Sequence, residues 1–160
     1  MAKNKIIRVP SDIFPPGVCE LSIGYRRATT KRVKVTNAAE VVVFARENFY
    51  AQEVIEYTEK FFVLFIDRAN QIYAWKEMSS GGISGTVADP RTIFMAGVLL
   101  MSSSLIFLHN HPSGNCEMSI SDLQLSKRLC EAGKILEIKV LDHIIITASE
   151  HFSFADAGHI

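Results

Sequence analysis

Residues 109–122 read HNHPSGNCEMSISD, and three side chains in that stretch can donate to one metal ion: His109, His111 and Asp122. In an extended chain, positions i and i+2 project from the same face, so the two imidazoles can aim at one point. The carboxylate of Asp122 can return to that point if a loop carrying Pro112 and Gly114 turns the chain and a helix begins near Ser119. Two imidazoles and one carboxylate leave the fourth tetrahedral position open for water. That is the arrangement of a catalytic zinc site, whereas a structural site is closed by four protein ligands.

Hydrolysis at such a centre needs a general base and a donor for the developing oxyanion. Ser119 is the candidate donor, because its hydroxyl is small, neutral and three residues from Asp122. For the base, Glu59 stands just before an apolar run, where a strand end would bring it toward a neighbouring strand; Glu53, Glu56 and Glu77 are chemically equivalent rivals. Simpler readings stand beside these. Ser119 and Asp122 also form the S-x-x-D capping pattern of a helix N-terminus, which needs no metal. Cys116 lies inside the loop and reads as a loop thiol. Asp142-His143 reads either as support for a ligand or as a charge-paired core histidine, and His151 and His159 read as surface residues. The GGISGT stretch has no lysine and does not fit a phosphate loop.

The elements around these residues follow from periodicity. Asn37 with Glu40 three residues on, followed by Val41, Val42, Ala45 and Phe49, predicts a helix over about 38–50. FFVLFID, a turn at Asp67–Asn70 and the run from Gln71 to Met78 predict a β-hairpin. Asp89-Pro90 predicts a cap and a proline-started helix reaching about Met101. Leu105–Leu108 reads as a strand buried on both faces that leads directly into His109. A third helix is expected from about Ser119 to Ala132, ended by Gly133, and then a strand from Val140 to Thr147. Strands and helices mix without strict alternation, so the class is α+β.

The chain has 160 residues, 48% hydrophobic and 21% charged, which suits one core-forming domain spanning about 37–160. Residues 1–34 carry eight Lys/Arg against Asp12 and Glu20, a surplus of six positive charges that the rest of the chain cancels. With Pro10, Pro15, Pro16 and Gly17, residues 1–36 read as a basic arm with one edge strand near Glu20–Arg27. Zero net charge excludes a strongly basic nucleic-acid-binding domain as a whole, although the arm itself leaves contact with nucleic acid open. Cys19, Cys116 and Cys130 are odd in number and widely spaced, so they read as reduced thiols. With no signal peptide and no long apolar run, the expectation is a soluble, cytoplasmic chain without membrane contact.

The spacing His109-x-His111, seven residues, Ser119-x-x-Asp122 matches the metal signature of the JAMM (MPN+) metalloprotease family. The form HNHPSG, with EKFFVLFIDRANQ and GGISGTVADPRTIF before it and LDHIIITASEHFSFADAG after it, resembles more narrowly the RadC-like branch of that family. The resemblance covers about residues 40–160. It implies a single JAB/MPN-like (cytidine-deaminase-like) domain with a mixed β-sheet flanked by helices. It also implies Zn2+ held by His109, His111 and Asp122, with Glu59 as the base and Ser119 as the oxyanion-stabilising serine. The implied activity is metal-dependent hydrolysis of a peptide or isopeptide bond, with ubiquitin-like or isopeptide-linked proteins among the implied substrates. RadC-like chains often carry a helix-hairpin-helix segment before this domain, and the name is attached to DNA repair. The Pro-rich N-terminal stretch is too short for that module. The alternative, a nucleic-acid-associated accessory protein with a structural or vestigial metal site, therefore rests on the basic arm.

Overall fold

A computed structural model of the chain describes residues 32–50, 55–81 and 88–160. The edge strand expected near Glu20–Arg27, nearly all of the GGISGT stretch, Cys19 and Glu53 lie outside these residues. The described elements, in chain order, are β1 (Val33–Lys34), α1 (Ala38–Asn48), β2 (Lys60–Ile66), β3 (Gln71–Ser80), α2 (Pro90–Leu99), β4 (Ser104–Asn110), α3 (Ile120–Ile135), β5 (Lys139–Ile146) and β6 (His151–Ser153). The strands form one mixed sheet in the order β1-β3-β2-β4-β5-β6, in which only β4 and β5 run parallel. The α+β class expected from the sequence is the class observed. No helix among the described residues is long and apolar enough to cross a membrane.

The central strands are buried on both faces, and the alternation of their side chains assigns each residue to one of two cores. Phe62, Leu64 and Ile66 of β2 join Ile106 and Leu108 of β4 under α1, where Val41, Val42 and Ala45 close the layer. The intervening Phe61, Val63 and Phe65 join Leu105 and Phe107 on the opposite face, covered by Ile93 and Phe94 of α2 and Leu129 of α3. In register, Phe61 stands opposite His109 and Val63 opposite Phe107. His109 therefore belongs to the face covered by α2 and α3.

The caps were legible in the residues. Asn37 accepts from the Glu40 amide at the start of α1, and Asp89 accepts from the Arg91 amide ahead of Pro90. Three boundaries differ from expectation. β4 runs on through His109 and Asn110 rather than stopping at Leu108. Val33–Lys34 pair with Ile72 and Gln71, and Val35 is buried, so the sheet begins inside the segment read as an arm. Gly133 does not end α3, which continues to Ile135. A Cβ on Gly133 would lie 2.5 Å from the Ile138 carbonyl oxygen and 3.2 Å from Val140, so this glycine serves close packing of the helix on the chain entering β5. The turn out of α3 is made instead by Glu137, at φ 55°.

Candidate metal centre

His109 is the penultimate residue of β4 and is 2% exposed. His111 follows one step past the strand, but its backbone N–H still donates to Ile146 O (3.1 Å), which keeps the alternation of β4 running through it. Both rings thus point to the α3 face, with their Nε2 atoms 3.0 Å apart. The chain then turns at Pro112–Gly114, where Gly114 N–H donates to His111 O and takes φ 79°, a region that other residues adopt only with strain. The loop that follows delivers Ser119, the N-cap of α3, and Asp122, its third residue.

Asp122 and Ser119 form a reciprocal capping box. The Asp122 amide donates to Ser119 Oγ (3.1 Å), and Asp122 Oδ2 accepts from the Ser119 amide (2.8 Å) and hydroxyl (2.6 Å). This fixes the carboxylate with Oδ1 3.3 Å from His109 Nε2 and Oδ2 3.6 Å from His111 Nε2. Helix capping and ligand positioning are therefore served by the same pair of residues.

The donor set fits a divalent cation. His109 Nδ1 faces His143 Nε2 at 2.8 Å, and His111 Nδ1 donates to the Asn115 carbonyl at 2.8 Å, so the outer nitrogen of each ring is engaged and the inner one is turned to the centre. Ligand atoms about 2.0–2.1 Å from a tetrahedral zinc stand about 3.3 Å from one another. The separations of 3.0, 3.3 and 3.6 Å bracket that value. Two inward nitrogens and an anionic oxygen this close repel one another unless a proton or a cation lies between them. In the metal-free chain the Asp122 carboxylate facing His111 raises the pKa of that ring from its ordinary value, which favours a proton there. Burial works to raise the pKa of Asp122, but the two imidazoles facing it and the hydrogen bonds from Ser119 outweigh burial and hold the carboxyl far below the usual carboxylate range.

Glu59 enters from the adjacent strand. Two residues before Phe61, it lies opposite His111 if the β2–β4 register is extended by two, on the same face as Phe61 and His109. Its charge adds to the upward shift at His111. The segment carrying it is tied down on both sides. Asn110, fully buried and on the opposite face of β4, donates from Nδ2 to Ile55 O (2.7 Å) and Thr58 O (2.9 Å) and accepts from the Lys60 amide (2.8 Å). Tyr50 donates to Lys60 O (2.9 Å), and Gly81 N–H donates to Glu59 O (2.9 Å). Of the rival carboxylates, Glu77 is paired with Lys60 at 3.0 Å on the neighbouring strand, and Glu56 is exposed.

His109, His111 and Asp122 are thus brought together, Ser119 is hydrogen-bonded to Asp122, and the charge of Glu59 is felt at His111. Cys116 is turned to Ile145 O (3.9 Å) and is not one of the converging atoms; burial pushes its thiol pKa up. His143 is not charge-paired with Asp142, because adjacent strand residues face opposite ways. The Asp142 carboxylate instead accepts from the His143 and Ala155 amides and from the Ser153 hydroxyl, while the His143 ring lies between His109 and Ser126. Burial holds that ring well below the usual histidine pKa, hence neutral. Asn110 and Ser126 escaped the sequence reading. The available signals were a polar residue between two ligands on the opposite parity of a buried strand, and a serine four residues after Asp122 on the same helix face.

A family model for the RadC-like JAB domain matches residues 20–159. Among curated proteins, a UPF0758 protein of Flavobacterium johnsoniae is 43% identical over 100 residues, covering 62% of this chain and 44% of that protein. One from Syntrophomonas wolfei is 34% identical over 128 residues (79% and 54%), and one from Actinobacillus succinogenes is 37% identical over 127 residues (74% and 58%). The chain spans about half the length of the curated relatives it matches. With the match running through both cores and the His-His-Asp group, the chain belongs to the family of RadC-like JAB domains.

Proposed function

We propose that this chain is a metal-dependent hydrolase that cleaves an amide bond in a polypeptide, either a peptide bond or an isopeptide bond to a lysine side chain. The observation that carries this reading is the convergence of His109 Nε2, His111 Nε2 and an Asp122 oxygen, a donor set that would leave a tetrahedral ion one position for reactants. Bound there, a zinc ion supplies Lewis acidity, lowering the pKa of water to about 7 and polarising a carbonyl oxygen.

The rest falls to the chain's own groups. Glu59 accepts the proton of the attacking water and returns it to the leaving nitrogen, so that the amine departs neutral. Hydrogen bonds from Tyr50 and Gly81 and to Asn110 hold the backbone at Glu59 and Lys60, and the Glu59 charge is felt at His111. Ser119 stabilises the negative charge that develops on the carbonyl oxygen. In the resting arrangement its proton points to Asp122 Oδ2, and rotation about Cβ–Oγ redirects it while Asp122 Oδ2 keeps the bond from the Ser119 amide.

The test pairs metal analysis with a library of peptides and isopeptides read by mass spectrometry. Wild type is expected to hold near-stoichiometric zinc and to yield products. Asp122→Ala loses both, whereas Glu59→Gln keeps the metal and loses about 10²–10⁴ in turnover. Hydrolysis that persists in Asp122→Ala sinks the reading.

A further inference from the structure

Two residues outside the ligand set, Ser126 and His143, connect one ligand to another. Ser126 Oγ lies 2.8 Å from the main-chain carbonyl oxygen of Asp122, one helical turn earlier, and within a short hydrogen bond of His143 Nδ1. His143 Nε2 lies 2.8 Å from His109 Nδ1. The ring is held edge-on to Phe61 and Phe107 and stacked on Phe154 at 4.8 Å, so it has no freedom to flip.

The direction of every proton in this chain follows from one group that can only accept. A carbonyl has no hydrogen, so the 2.8 Å contact between Ser126 Oγ and Asp122 O is repulsive unless the serine proton lies in it. Ser126 then has only lone pairs to offer His143 Nδ1. The contact is attractive only if Nδ1 carries the single N–H of the neutral ring. His143 Nε2 is therefore an acceptor, and His109 must donate to it from Nδ1. With Nδ1 donating to His143, the Nδ1–H tautomer of His109 is the one whose Nε2, the atom facing His111 and Asp122, offers a lone pair.

We propose that Ser126 and His143 form a one-way hydrogen-bond relay, from the main-chain carbonyl of Asp122 to His109 Nδ1, that fixes His109 as the Nδ1–H tautomer and presents its Nε2 to the metal. Both residues are positioning residues: neither touches substrate or metal. The relay rests on the metal-site reading above and deepens it. Its two ends are both ligands, so it also ties the first turn of α3 to the end of β4. His111, which lies nearer the surface, takes its tautomer from the Asn115 carbonyl instead. A histidine placed by an outer partner holds metal about 10–100-fold more tightly than one left unsupported.

The first experiment is ¹⁵N NMR of the imidazoles in the metal-free chain. The expected result is a protonated Nδ1 and an unprotonated Nε2 on His143 and a protonated Nδ1 on His109; a proton on His143 Nε2 overturns the relay. The second is zinc affinity by competition with a chelator. Ser126→Ala is expected to weaken binding about 10–100-fold, and Ser126→Thr, which keeps the hydroxyl, to stay within about threefold of wild type. Affinity in Ser126→Ala equal to wild type, in a folded protein, overturns the proposal. Should Ser126→Ala fail to fold, the tautomers of the wild type still decide. A wild type with the expected tautomers and tight zinc but no hydrolysis of any library member supports the relay and removes the hydrolase reading, so the two fail separately.

Discussion

Asn110→Ala separates the placement of the candidate base from the placement of the metal. The Asn110 side chain is fully buried and makes three hydrogen bonds of 2.7–2.9 Å, all to the segment 55–60 that carries Glu59. Truncation leaves the Ile55 and Thr58 carbonyls and the Lys60 amide without that partner. At about 0.5–1.5 kcal/mol net for each bond, the loss is about 3 kcal/mol, well above the ~1 kcal/mol of an average substitution. The ligands His109 and His111 lie on the other face of the same strand, so zinc affinity is expected to stay within about threefold. Turnover is expected to fall about 10²-fold, because a displacement of roughly 1 Å in a catalytic group has that cost.

Hydrogen exchange locates the effect without a substrate. Lys60 N–H donates to Asn110 and Gly81 N–H donates to Glu59 O, so these two amides report whether the segment is held. A local loss of about 3 kcal/mol corresponds to exchange roughly a hundredfold faster at both. Chemical denaturation gives the global figure. Destabilisation below about 1 kcal/mol together with unchanged protection at Lys60 and Gly81 would refute the assignment of Asn110 as the tether of Glu59.

Two further outcomes follow from the same geometry. Asp122 raises the His111 pKa, so below that pKa a cation must displace a proton from the metal-free site. Zinc affinity measured at pH 6, 7 and 8 is expected to rise with pH, by about tenfold per unit below the His111 pKa, and a flat profile would contradict it. For stability the signs oppose: the raised His111 pKa contributes below about pH 6.5 and is lost as pH rises through its folded value, while the lowered Asp122 pKa contributes above about pH 4 and is lost on acidification. The metal-free chain thus gains most from this pair between those limits, as a pH series of denaturation midpoints will show. Gly133→Ala tests the close packing of α3: alanine gains about 1 kcal/mol of helix propensity, but its Cβ meets a carbonyl oxygen at 2.5 Å. A net loss of about 1–3 kcal/mol is expected by chemical denaturation, and a more stable variant would show that the chain entering β5 gives way.

The candidate triad could be picked out because its spacing is short and local: His109 and His111 depend only on strand alternation, and Ser119 and Asp122 only on a helix start. The hairpin and the three caps were legible for the same reason. What escaped depends on contacts between distant segments. Gly133 carries the usual signal of a helix stop, and only the path of Ile138 and Val140 beside it explains why the helix continues. Asn110 lies beyond the strand expected over Leu105–Leu108, and its partners stand 50 to 55 positions earlier. His143 was visible as a buried histidine next to a carboxylate, yet its partners at 34 and 17 residues' remove were not. The Coulomb partner that sequence adjacency suggested, Asp142, faces the other side of the sheet.

β4 explains why so few residues can organise the centre. Its odd positions, Leu105, Phe107 and His109, look toward α2 and α3, so the strand passes from core packing to the candidate metal site without changing face. Its even positions, Ile106, Leu108 and Asn110, look toward α1, and the last of them exchanges an apolar contact for three hydrogen bonds to the segment of Glu59. A one-residue slip of β4 would move the imidazoles under α1 and the amide toward the metal, abolishing ligation and tether together. That register is fixed by an unbroken apolar pairing with β2, from Phe61 opposite His109 to Phe65 opposite Leu105, all of it nearly inaccessible to solvent. The hydrophobic run that looked like plain core is therefore what aligns the candidate base with the ligands, and polar substitutions at Val63 or Phe107 should disturb the centre from a distance.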